Sequence, residues 1–290
     1  MTTVGVIGLG DIGRGVAEAV VRAGLGLVVC DLRPEATGRF STTARVAGSP
    51  AELGERSDVV VVAVVDDRQV LAVLDGEGGA LGACAPGSAV LVVSTVSPGT
   101  IEAVAALASR RDVDVVDCGV SGGPAAAAAG TLVAMVGGDG AAVERVRPVL
   151  DAFTSLVVHM GPLGAGLKAK LARNLVQYGS WLAAYEAQVL AEAAGIELGK
   201  LAEVIRVSDQ LIGGSSRLMF RDTVAPFPPD ADTGFVALMA AAAGLAHKDL
   251  RAALELGASL GVDLPLAEMA DARCDAVFGL AGDGAPGRVP

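Results

Sequence analysis

The chain has 290 residues, of which 52% are hydrophobic, 3% are aromatic and 19% are charged. This length suits two domains of ordinary size with a large aliphatic core, and the composition excludes a disordered protein. The net charge of −11 argues against binding to nucleic acids or to anionic membranes, because those surfaces require clustered lysine and arginine.

The first half of the chain alternates apolar, β-rich segments with segments of helical periodicity. Such alternation is typical of a parallel sheet with helices on both faces. Strands are predicted over residues 4–8, 27–31, 58–65, 89–94, 113–118, 131–136 and 155–159, and helices over residues 13–23 and 100–109. The predicted fold is therefore α/β, with an N-terminal, doubly wound parallel sheet of the Rossmann type over residues 1–162.

A second domain is predicted over residues 163–290, where long stretches rich in Ala, Leu and Glu replace the β-branched segments. Helices are predicted over residues 164–195, 199–208, 235–259 and 266–278, with a proline-rich loop over 225–230 and a frayed tail after Gly279. The Ala-rich stretches carry more apolar surface than a small bundle buries alone. We therefore expect a homodimer or a higher homo-oligomer that associates through this mainly α-helical domain.

A glycine-rich turn follows the first predicted strand directly and opens a helix. It predicts a dinucleotide-binding site, since glycine lets the backbone approach a pyrophosphate at the positive end of the helix. A tight strand-to-helix turn without a ligand is the alternative. The residues of this predicted cofactor site are Gly8, Leu9, Gly10, Asp11, Ile12 and Gly13.

An acidic residue at the end of the second predicted strand bears on the choice of nucleotide. Asp31 lies where a carboxylate accepts hydrogen bonds from the adenosine ribose hydroxyls, which favours NAD over NADP. Arg33, two residues later, offers the charge that a 2′-phosphate would need, so NADP remains open. A solvated turn residue is the alternative role for Asp31.

Two further polar segments follow later strands, at the edge of the sheet where open α/β proteins bind ligands. They are residues 94–98, Ser-Thr-Val-Ser-Pro, and residues 117–123, Asp-Cys-Gly-Val-Ser-Gly-Gly. A third segment, residues 164–174, opens the second domain. It places Lys170 and Asn174 on one face of a helix, because they are four residues apart.

With these motifs in this order, the chain resembles the β-hydroxyacid dehydrogenase family. That family contains 3-hydroxyisobutyrate dehydrogenases, tartronate semialdehyde reductases and relatives of 6-phosphogluconate dehydrogenase. The resemblance spans nearly the whole chain and includes an N-terminal GLGxxG, an STxSP segment, a DxxVSGGxxxAxxGTL stretch and a GxGxxxKxxxN helix. A late Lys248-Asp249-Leu250 completes it.

The resemblance implies an NAD(P)-dependent oxidoreductase that interconverts a small 3-hydroxy acid and its semialdehyde or keto form, in a pocket between the two domains. It implies that Lys170 is the general acid and base and that Asn174 positions the substrate. The substrate carboxylate would be held by Ser121, Gly122 and Gly123. The resemblance further implies that four residues contact the cofactor around the nicotinamide, namely Val64, Val65, Thr95 and Lys248.

Each of these roles has a structural alternative. The alternative for Lys170 is an ordinary lysine that is solvated on the surface of a helix, which is the role that we expect for Lys168. The Ser-Gly-Gly segment alternatively forms a plain turn, although backbone N–H groups beside glycine suit a carboxylate. Lys248 alternatively belongs to a charged helix face.

The chain departs from the family pattern at four places. Arg173 stands where members often have Asn, and Ala126 stands where Gly is common, within an Ala run at 125–129 that favours a helix. Residues 65–67, Val-Asp-Asp, replace the usual apolar-Pro ending. Gln177 occupies the position of a Glu in decarboxylating relatives, which argues against oxidative decarboxylation. These departures leave the substrate open.

Two other functions compete with this one. An imine reductase shares the architecture, and Tyr178, Trp181 and Tyr185 would then line an apolar pocket. Lys170 and the Ser-Gly-Gly segment weigh against it. A non-catalytic dinucleotide-binding protein is the third hypothesis, and retention of Lys170 weighs against that one.

The remaining signals concern location and metals. No apolar stretch approaches the roughly 18 residues of a membrane span, and the N-terminus lacks a basic leader, so we expect a cytoplasmic protein that does not bind membranes. The spacing of the cysteine and histidine side chains matches neither a zinc site nor a disulfide framework, so no metal is expected. They are Cys30, Cys84, Cys118, Cys274, His159 and His247.

Overall fold

The computed structural model describes residues 2–76, 78–219, 221 and 223–280. The chain divides into two compact units, Met1–Asn174 and Leu175–Pro290. The division falls inside one long helix, Ala165–Ala193, so the first turns of that helix group with the first unit. The domain boundary expected at residues 162 and 163 stays a prediction.

The first unit is built on a sheet of eight strands among the described residues, and this confirms the predicted α/β class. The order across the sheet is β3-β2-β1-β4-β5-β6-β7-β8. The strands are β1 (Thr3–Ile7), β2 (Gly26–Cys30), β3 (Arg45–Val46), β4 (Val59–Val62), β5 (Ala89–Val92), β6 (Asp114–Ser121), β7 (Leu132–Gly137) and β8 (Thr154–Gly161).

The sheet is not parallel throughout, and this corrects one part of the prediction. Neighbouring strands from β3 to β6 are parallel, β6 and β7 are antiparallel, and β7 and β8 are parallel again. Apolar periodicity does not encode strand direction, so the reversal could not be predicted from the pattern. The strand β3 was also not predicted, because its two residues are exposed and carry no apolar signal.

Helices cover both faces of this sheet. They are α1 (Asp11–Arg22), α2 (Pro34–Gly38), α3 (Pro50–Glu55), α4 (Asp67–Leu74), α5 (Ala80–Ala83), α6 (Pro98–Ala108), α7 (Gly123–Ala129) and α8 (Gly140–Phe153). The next helix, α9 (Ala165–Ala193), begins in the first unit and continues into the second. The central strand β4 shows why both faces need cover, since all four of its valines are buried. Val59 and Val61 belong to one apolar cluster, and Val60 and Val62 belong to the other.

The second unit is helical, as predicted. After α9 it contains α10 (Leu198–Ile212), a 3₁₀ turn (Gly214–Leu218), α11 (Thr233–Leu260) and α12 (Pro265–Val277). The predicted loop at 225–230 lies in the non-helical segment before α11. The predicted frayed tail after Gly279 lies outside the described residues from residue 281 onward. Among the residues that the structure does describe, no helix is long and apolar enough to cross a membrane.

Candidate cofactor and catalytic site

Five neighbouring parallel strands bring most of the predicted site residues to one edge of the sheet. Because β2, β1, β4, β5 and β6 run in the same direction, their carboxyl ends lie together. The residues at or just after those ends are Asp31, Gly8, Val64, Thr95 and Ser121, in sheet order. The first unit therefore places the predicted nucleotide-binding and substrate-binding segments side by side.

The three glycines of the turn after β1 have different local requirements. Gly8 has a φ of +89°, and a Cβ there would lie 2.5 Å from the carbonyl oxygen of Ala63. A Cβ on Gly13 would lie 1.9 Å from the carbonyl oxygen of Gly8. A Cβ on Gly10 would meet no atom within 4 Å. Gly8 and Gly13 are therefore required by the fold, whereas Gly10 borders open space.

The open space lies at the positive end of a helix. Gly10 is the N-cap of α1, and no side chain caps that terminus. Backbone N–H groups at the start of a helix need acceptors, and a pyrophosphate supplies negatively charged ones. The turn thus fits the pyrophosphate of a dinucleotide, which would approach across Gly10.

Asp31 follows β2 directly and is connected to the glycine turn. Its Oδ2 accepts a hydrogen bond from the backbone N–H of Leu9 at 2.7 Å. Its Oδ1 accepts from Nε of Arg33 at 3.0 Å and from the Arg33 backbone N–H at 2.9 Å. Burial opposes ionisation, but the hydrogen bonds from Arg33 and Leu9 outweigh it and lower the pKa of Asp31. The site therefore presents an ionised carboxylate that already engages Arg33.

The loops after β4 and β5 are held together by hydroxyl groups. Oγ of Ser94 accepts a hydrogen bond from the N–H of Val64 at 2.9 Å and donates to the Val64 carbonyl oxygen at 2.8 Å. Val65 and Thr95, the other predicted residues of these loops, are exposed. Sequence reasoning missed Ser94, although it lies inside the STxSP segment. This bonding fixes the two loops that were predicted to line the nicotinamide.

A second connection between the same loops comes from Asp67, which was also missed. Its Oδ1 accepts hydrogen bonds from the N–H of Ser97 at 2.9 Å, from Oγ of Ser97 at 2.6 Å and from Oγ1 of Thr100 at 2.5 Å. The bonds with Ser97 and Thr100 lower the pKa of Asp67 to about 2. Asp67 lies in residues 65–67, Val-Asp-Asp, where the chain departs from the family pattern. The sequence signal for its contact was an acidic residue after one strand and a serine-rich segment after the next.

The Ser-Gly-Gly segment ends β6 and begins α7. Gly122 has a φ of +127° and Gly123 a φ of +70°, conformations that favour glycine. A Cβ on Gly123 would meet no atom within 4 Å, so this backbone borders open space as Gly10 does. Ser121 is partly buried beside it. The segment therefore has the exposed main chain that a carboxylate cradle needs.

The Ala run after this segment is helical, as its composition predicts. It forms α7, and Ala127 is fully buried. A Cβ on Gly15 of α1 would lie 2.6 Å from the Ala127 carbonyl carbon, so the two helices touch backbone to backbone. Ala126 therefore stands in a helix that packs closely on α1.

Lys170 and Asn174 lie in the first turns of α9, within the first unit. Lys170 is partly buried, whereas Lys168 is exposed. A Cβ on Gly119 of β6 would lie 2.4 Å from Cβ of Lys170, so the lysine stem lies directly on that strand. Desolvation, followed by the charge of Arg173, lowers the pKa of Lys170. An amine with a lowered pKa is suited to proton transfer.

Arg173 is exposed beside this pair. Its Nη1 lies 3.4 Å from Oδ1 of Asn174, in a long hydrogen bond. The departure from the family's Asn therefore places a second cation next to Lys170. The charge of Arg173 adds to the effect of burial in lowering the pKa of Lys170, which favours the neutral amine.

Lys248 lies in the second unit, on α11, and its place in the cofactor site stays a prediction. Its Nζ lies 3.2 Å from Oδ1 of Asp249, and both side chains are exposed. It borders a surface pocket of about 620 Å³ that also includes His247 and Arg251. Nδ1 of His247 lies 2.5 Å from Oδ1 of Asp271, an interaction that raises the pKa of His247.

The four cysteines are free and buried. Nε2 of His159 lies 3.0 Å from the carbonyl oxygen of Gly138 and 2.9 Å from that of Gly161. Within the described part of the chain, no group of three or more His, Cys, Asp and Glu side chains has the arrangement of a metal site.

Two protein families match the chain, one for each part. Residues 3–161 match the NAD binding domain of 6-phosphogluconate dehydrogenase. Residues 164–285 match the family described as NAD-binding of NADP-dependent 3-hydroxyisobutyrate dehydrogenase. Together the two matches span most of the chain in the order that the sequence motifs predict.

Individual relatives agree with these matches. An L-threonate dehydrogenase of Cupriavidus necator is 41% identical over 70% of this chain and 69% of its own length. An NAD-dependent L-serine dehydrogenase of Pseudomonas aeruginosa is 36% identical over 87% of this chain and 86% of its own. The crystal structure of a putative oxidoreductase from Mycobacterium avium superposes with a TM-score of 0.89 at 38% identity, covering 97% of this chain and 100% of that one.

Imine reductases share the architecture. The enzyme from Myxococcus stipitatus superposes with a TM-score of 0.76, covering 94% of this chain and 92% of its own. At 18% identity, this likeness shows the fold alone.

Proposed function

This chain belongs to the β-hydroxyacid dehydrogenase family and is an NAD(P)-dependent oxidoreductase, and from that premise we propose that it interconverts a small 3-hydroxy acid and its semialdehyde or keto form. One observation carries the proposal. Lys170 is partly buried, and its stem lies on Gly119 of β6, the strand that ends at Ser121. The group proposed to transfer the proton thus packs on the strand that ends at the segment proposed to bind the substrate carboxylate.

The proposed mechanism assigns one task to each group. In the oxidation direction, the neutral amine of Lys170 accepts the proton of the substrate hydroxyl group. In the reduction direction, its ammonium returns a proton to the carbonyl oxygen. The nicotinamide, when bound, accepts or gives the hydride at the carbon that bears this oxygen. Ser121, Gly122 and Gly123 hold the substrate carboxylate, and Asn174 orients the substrate beside the amine.

The nucleotide is proposed to lie along the edge of the sheet. The glycine turn of residues 8–13 receives the pyrophosphate, and Asp31 accepts hydrogen bonds from the ribose. Val64, Val65 and Thr95 border the nicotinamide on the two connected loops, and Lys248 is proposed to complete this part of the site.

A substrate panel tests the proposal. Purified protein is assayed with NAD and with NADP on 3-hydroxyisobutyrate, L-serine and L-threonate, on the corresponding semialdehydes or keto acids, and on a cyclic imine. We expect turnover of at least one 3-hydroxy acid. Activity on the imine alone would favour an imine reductase, for which Trp181 and its edge-on neighbour Tyr178, with ring centroids 5.3 Å apart, offer an apolar surface. Nucleotide binding without any turnover would favour the non-catalytic hypothesis.

Asp31→Asn is expected to raise the ratio of kcat/KM with NADP to kcat/KM with NAD by about tenfold or more. The substitution removes the carboxylate that repels a 2′-phosphate, and it weakens the bond that holds Arg33. The asparagine oxygen still accepts the hydrogen bond from Leu9, so the turn should persist. Steady-state kinetics with both nucleotides measure the ratio.

The matched control is Glu35→Gln, which removes the same charge from an exposed residue at the start of α2. It should leave the ratio unchanged. An unchanged ratio in Asp31→Asn as well would show that this carboxylate does not select the nucleotide.

A homodimer through the helical unit is also proposed, with a cytoplasmic location as the sequence predicts. The second unit exposes 59% of Trp181 and 63% of Tyr185, and α10 exposes Val204, Val207 and Leu211. Surfaces of this kind usually bind a partner. Light scattering should give about twice the chain mass of 28.8 kDa. A monomer mass at micromolar concentration would contradict the proposal.

A further inference from the structure

Asp117 is a fully buried carboxylate in β6 and the first residue of the DxxVSGG motif, but neither the nucleotide site nor the substrate site described above gives it a role. Its relative exposure is 0%. Its Oδ1 accepts a hydrogen bond from the backbone N–H of Gly164 at 2.6 Å, and its Oδ2 accepts from that of Leu167 at 2.7 Å. These donors lie at the start of α9, whose unpaired N–H groups need acceptors. Asp117 therefore caps α9 from a distant part of the chain.

The same helix turn also touches the strands through backbone atoms. A Cβ on Gly166 would lie 2.4 Å from the carbonyl oxygen of Met135 in β7 and 2.8 Å from that of Asp117. A Cβ on Gly137 would lie 2.8 Å from the backbone nitrogen of Ala165. The backbone of the first turn of α9 thus lies close to the backbones of β6 and β7, beside the Asp117 carboxylate.

Three residues at alternate positions of β6 then have related contacts. Asp117 holds the start of α9, Gly119 receives the stem of Lys170, and Ser121 begins the carboxylate-binding segment. Alternate residues of a strand face the same side, so one face of β6 carries all three. The distance from the Lys170 amine to the bound carboxylate is therefore set by how α9 is seated on this strand.

We propose that Asp117 is a positioning residue, which fixes α9 on β6 so that Lys170 lies at the correct distance from the substrate held at Ser121. The inference rests on the proposed function, since it assigns Asp117 an effect only through Lys170. A displacement of about 1 Å at a reacting group lowers turnover by about 10²-fold.

The chemistry of the buried group agrees with this role. Burial raises the pKa of Asp117, and the N–H donors of α9 act in the opposite direction. The positive end of a helix stabilises a carboxylate at this place. Asparagine would keep one oxygen and present an NH₂ group to a backbone N–H, so it would lose one of the two hydrogen bonds. Asp117→Asn therefore loosens the start of α9 with little change in side-chain volume.

The test compares Asp117→Asn with Glu186→Gln. Glu186 is the matched control, because this buried carboxylate in the second unit caps α12 in the same way, accepting from Leu266 N–H at 2.8 Å and Ala267 N–H at 3.2 Å. We expect Asp117→Asn to lower kcat by about 10-fold to 100-fold with NADH affinity within twofold of the parent. Glu186→Gln should keep kcat within about twofold at a comparable loss of thermal stability.

The pH profile separates a positioning role from a structural one. A displaced Lys170 is better solvated, which raises its pKa toward the ordinary value of a lysine. The rise of the oxidation rate with pH should therefore move to higher pH in Asp117→Asn and stay in place in Glu186→Gln. Gly119→Ala leaves the Asp117 side chain in place but adds a Cβ 2.4 Å from Cβ of Lys170 and 2.9 Å from the carbonyl oxygen of Gly166, so it pushes the lysine stem and the first turn of α9 away from β6 and should give the same displaced profile.

Several outcomes would overturn the proposal. One is a kcat of folded Asp117→Asn that falls no further than that of Glu186→Gln, and another is an unmoved pH profile in Gly119→Ala. Loss of folding in both Asp117→Asn and Gly119→Ala would assign Asp117 to stability alone. Lys170→Ala distinguishes failure of the proposed mechanism from failure of the positioning role. If it retains turnover, the proposed mechanism fails, whereas an inactive Lys170→Ala beside an unaffected Asp117→Asn removes only the positioning role.

Discussion

Lys170→Ala is expected to lower kcat by about 10²-fold to 10⁴-fold in both reaction directions, because the hydroxyl proton then has no acceptor in the oxidation and no donor in the reduction. The affinity for NADH should stay within about twofold, since the nucleotide is proposed to lie on the glycine turn and on Asp31. Steady-state kinetics and a fluorescence titration with NADH measure the two quantities.

Lys168→Ala is the matched control for this substitution. Lys168 lies two residues earlier on the same helix and carries the same charge, but it is exposed. Its loss should change kcat by less than about twofold. If Lys170→Ala retained the parent turnover, the general acid and base would have to be another group, and the proposed mechanism would be wrong.

The same lysine predicts opposite pH dependences for the two directions. Oxidation requires the neutral amine, so its rate should rise as the pH rises through the pKa of Lys170. Reduction requires the ammonium, so its rate should fall over the same range. Burial and Arg173 lower this pKa, which places both changes below the pH at which an ordinary lysine titrates. Both inflections should disappear in Lys170→Ala.

The parts of the fold that were predicted correctly depend on local signals. The strands of the sheet are short apolar segments, and the glycine turn, the alternation with helices and the helical second unit all follow from spacing within a few residues. The order of the motifs then placed Asp31, Thr95 and Ser121 at the ends of three strands, β2, β5 and β6. Parallel pairing of those strands was enough to bring them to one edge.

The parts that were missed depend on contacts between distant segments. The pairing of Asp67 with Ser97 and Thr100, and that of Asp117 with Gly164 and Leu167, join residues far apart in the chain. No periodicity relates such partners. The antiparallel step between β6 and β7 was missed because apolar periodicity does not encode strand direction. A buried carboxylate inside a strand was the available signal for Asp117, since such a residue needs donors from somewhere.

Gly10→Ala is expected to weaken NADH binding by about tenfold or more while leaving the folded protein intact. The added methyl group meets no protein atom within 4 Å, and the φ of Gly10 is −67°, which alanine adopts without strain. The methyl group would instead occupy the space across which the pyrophosphate is proposed to approach. Thermal unfolding without nucleotide and a fluorescence titration with NADH measure the two effects separately.

Substitutions of two other glycines serve as comparisons for Gly10→Ala. Gly140 also stands at the start of a helix, α8, with no atom within 4 Å of an added Cβ, and Gly140→Ala should leave NADH affinity unchanged. Gly13→Ala places a methyl group 1.9 Å from the Gly8 carbonyl oxygen, so it should destabilise the turn itself and lower thermal stability. If Gly10→Ala bound NADH as the parent does, the space beside Gly10 would not hold the pyrophosphate. Loss of stability would mean instead that the turn depends on all three glycines for folding, and the difference between Gly10 and Gly13 would have no functional meaning.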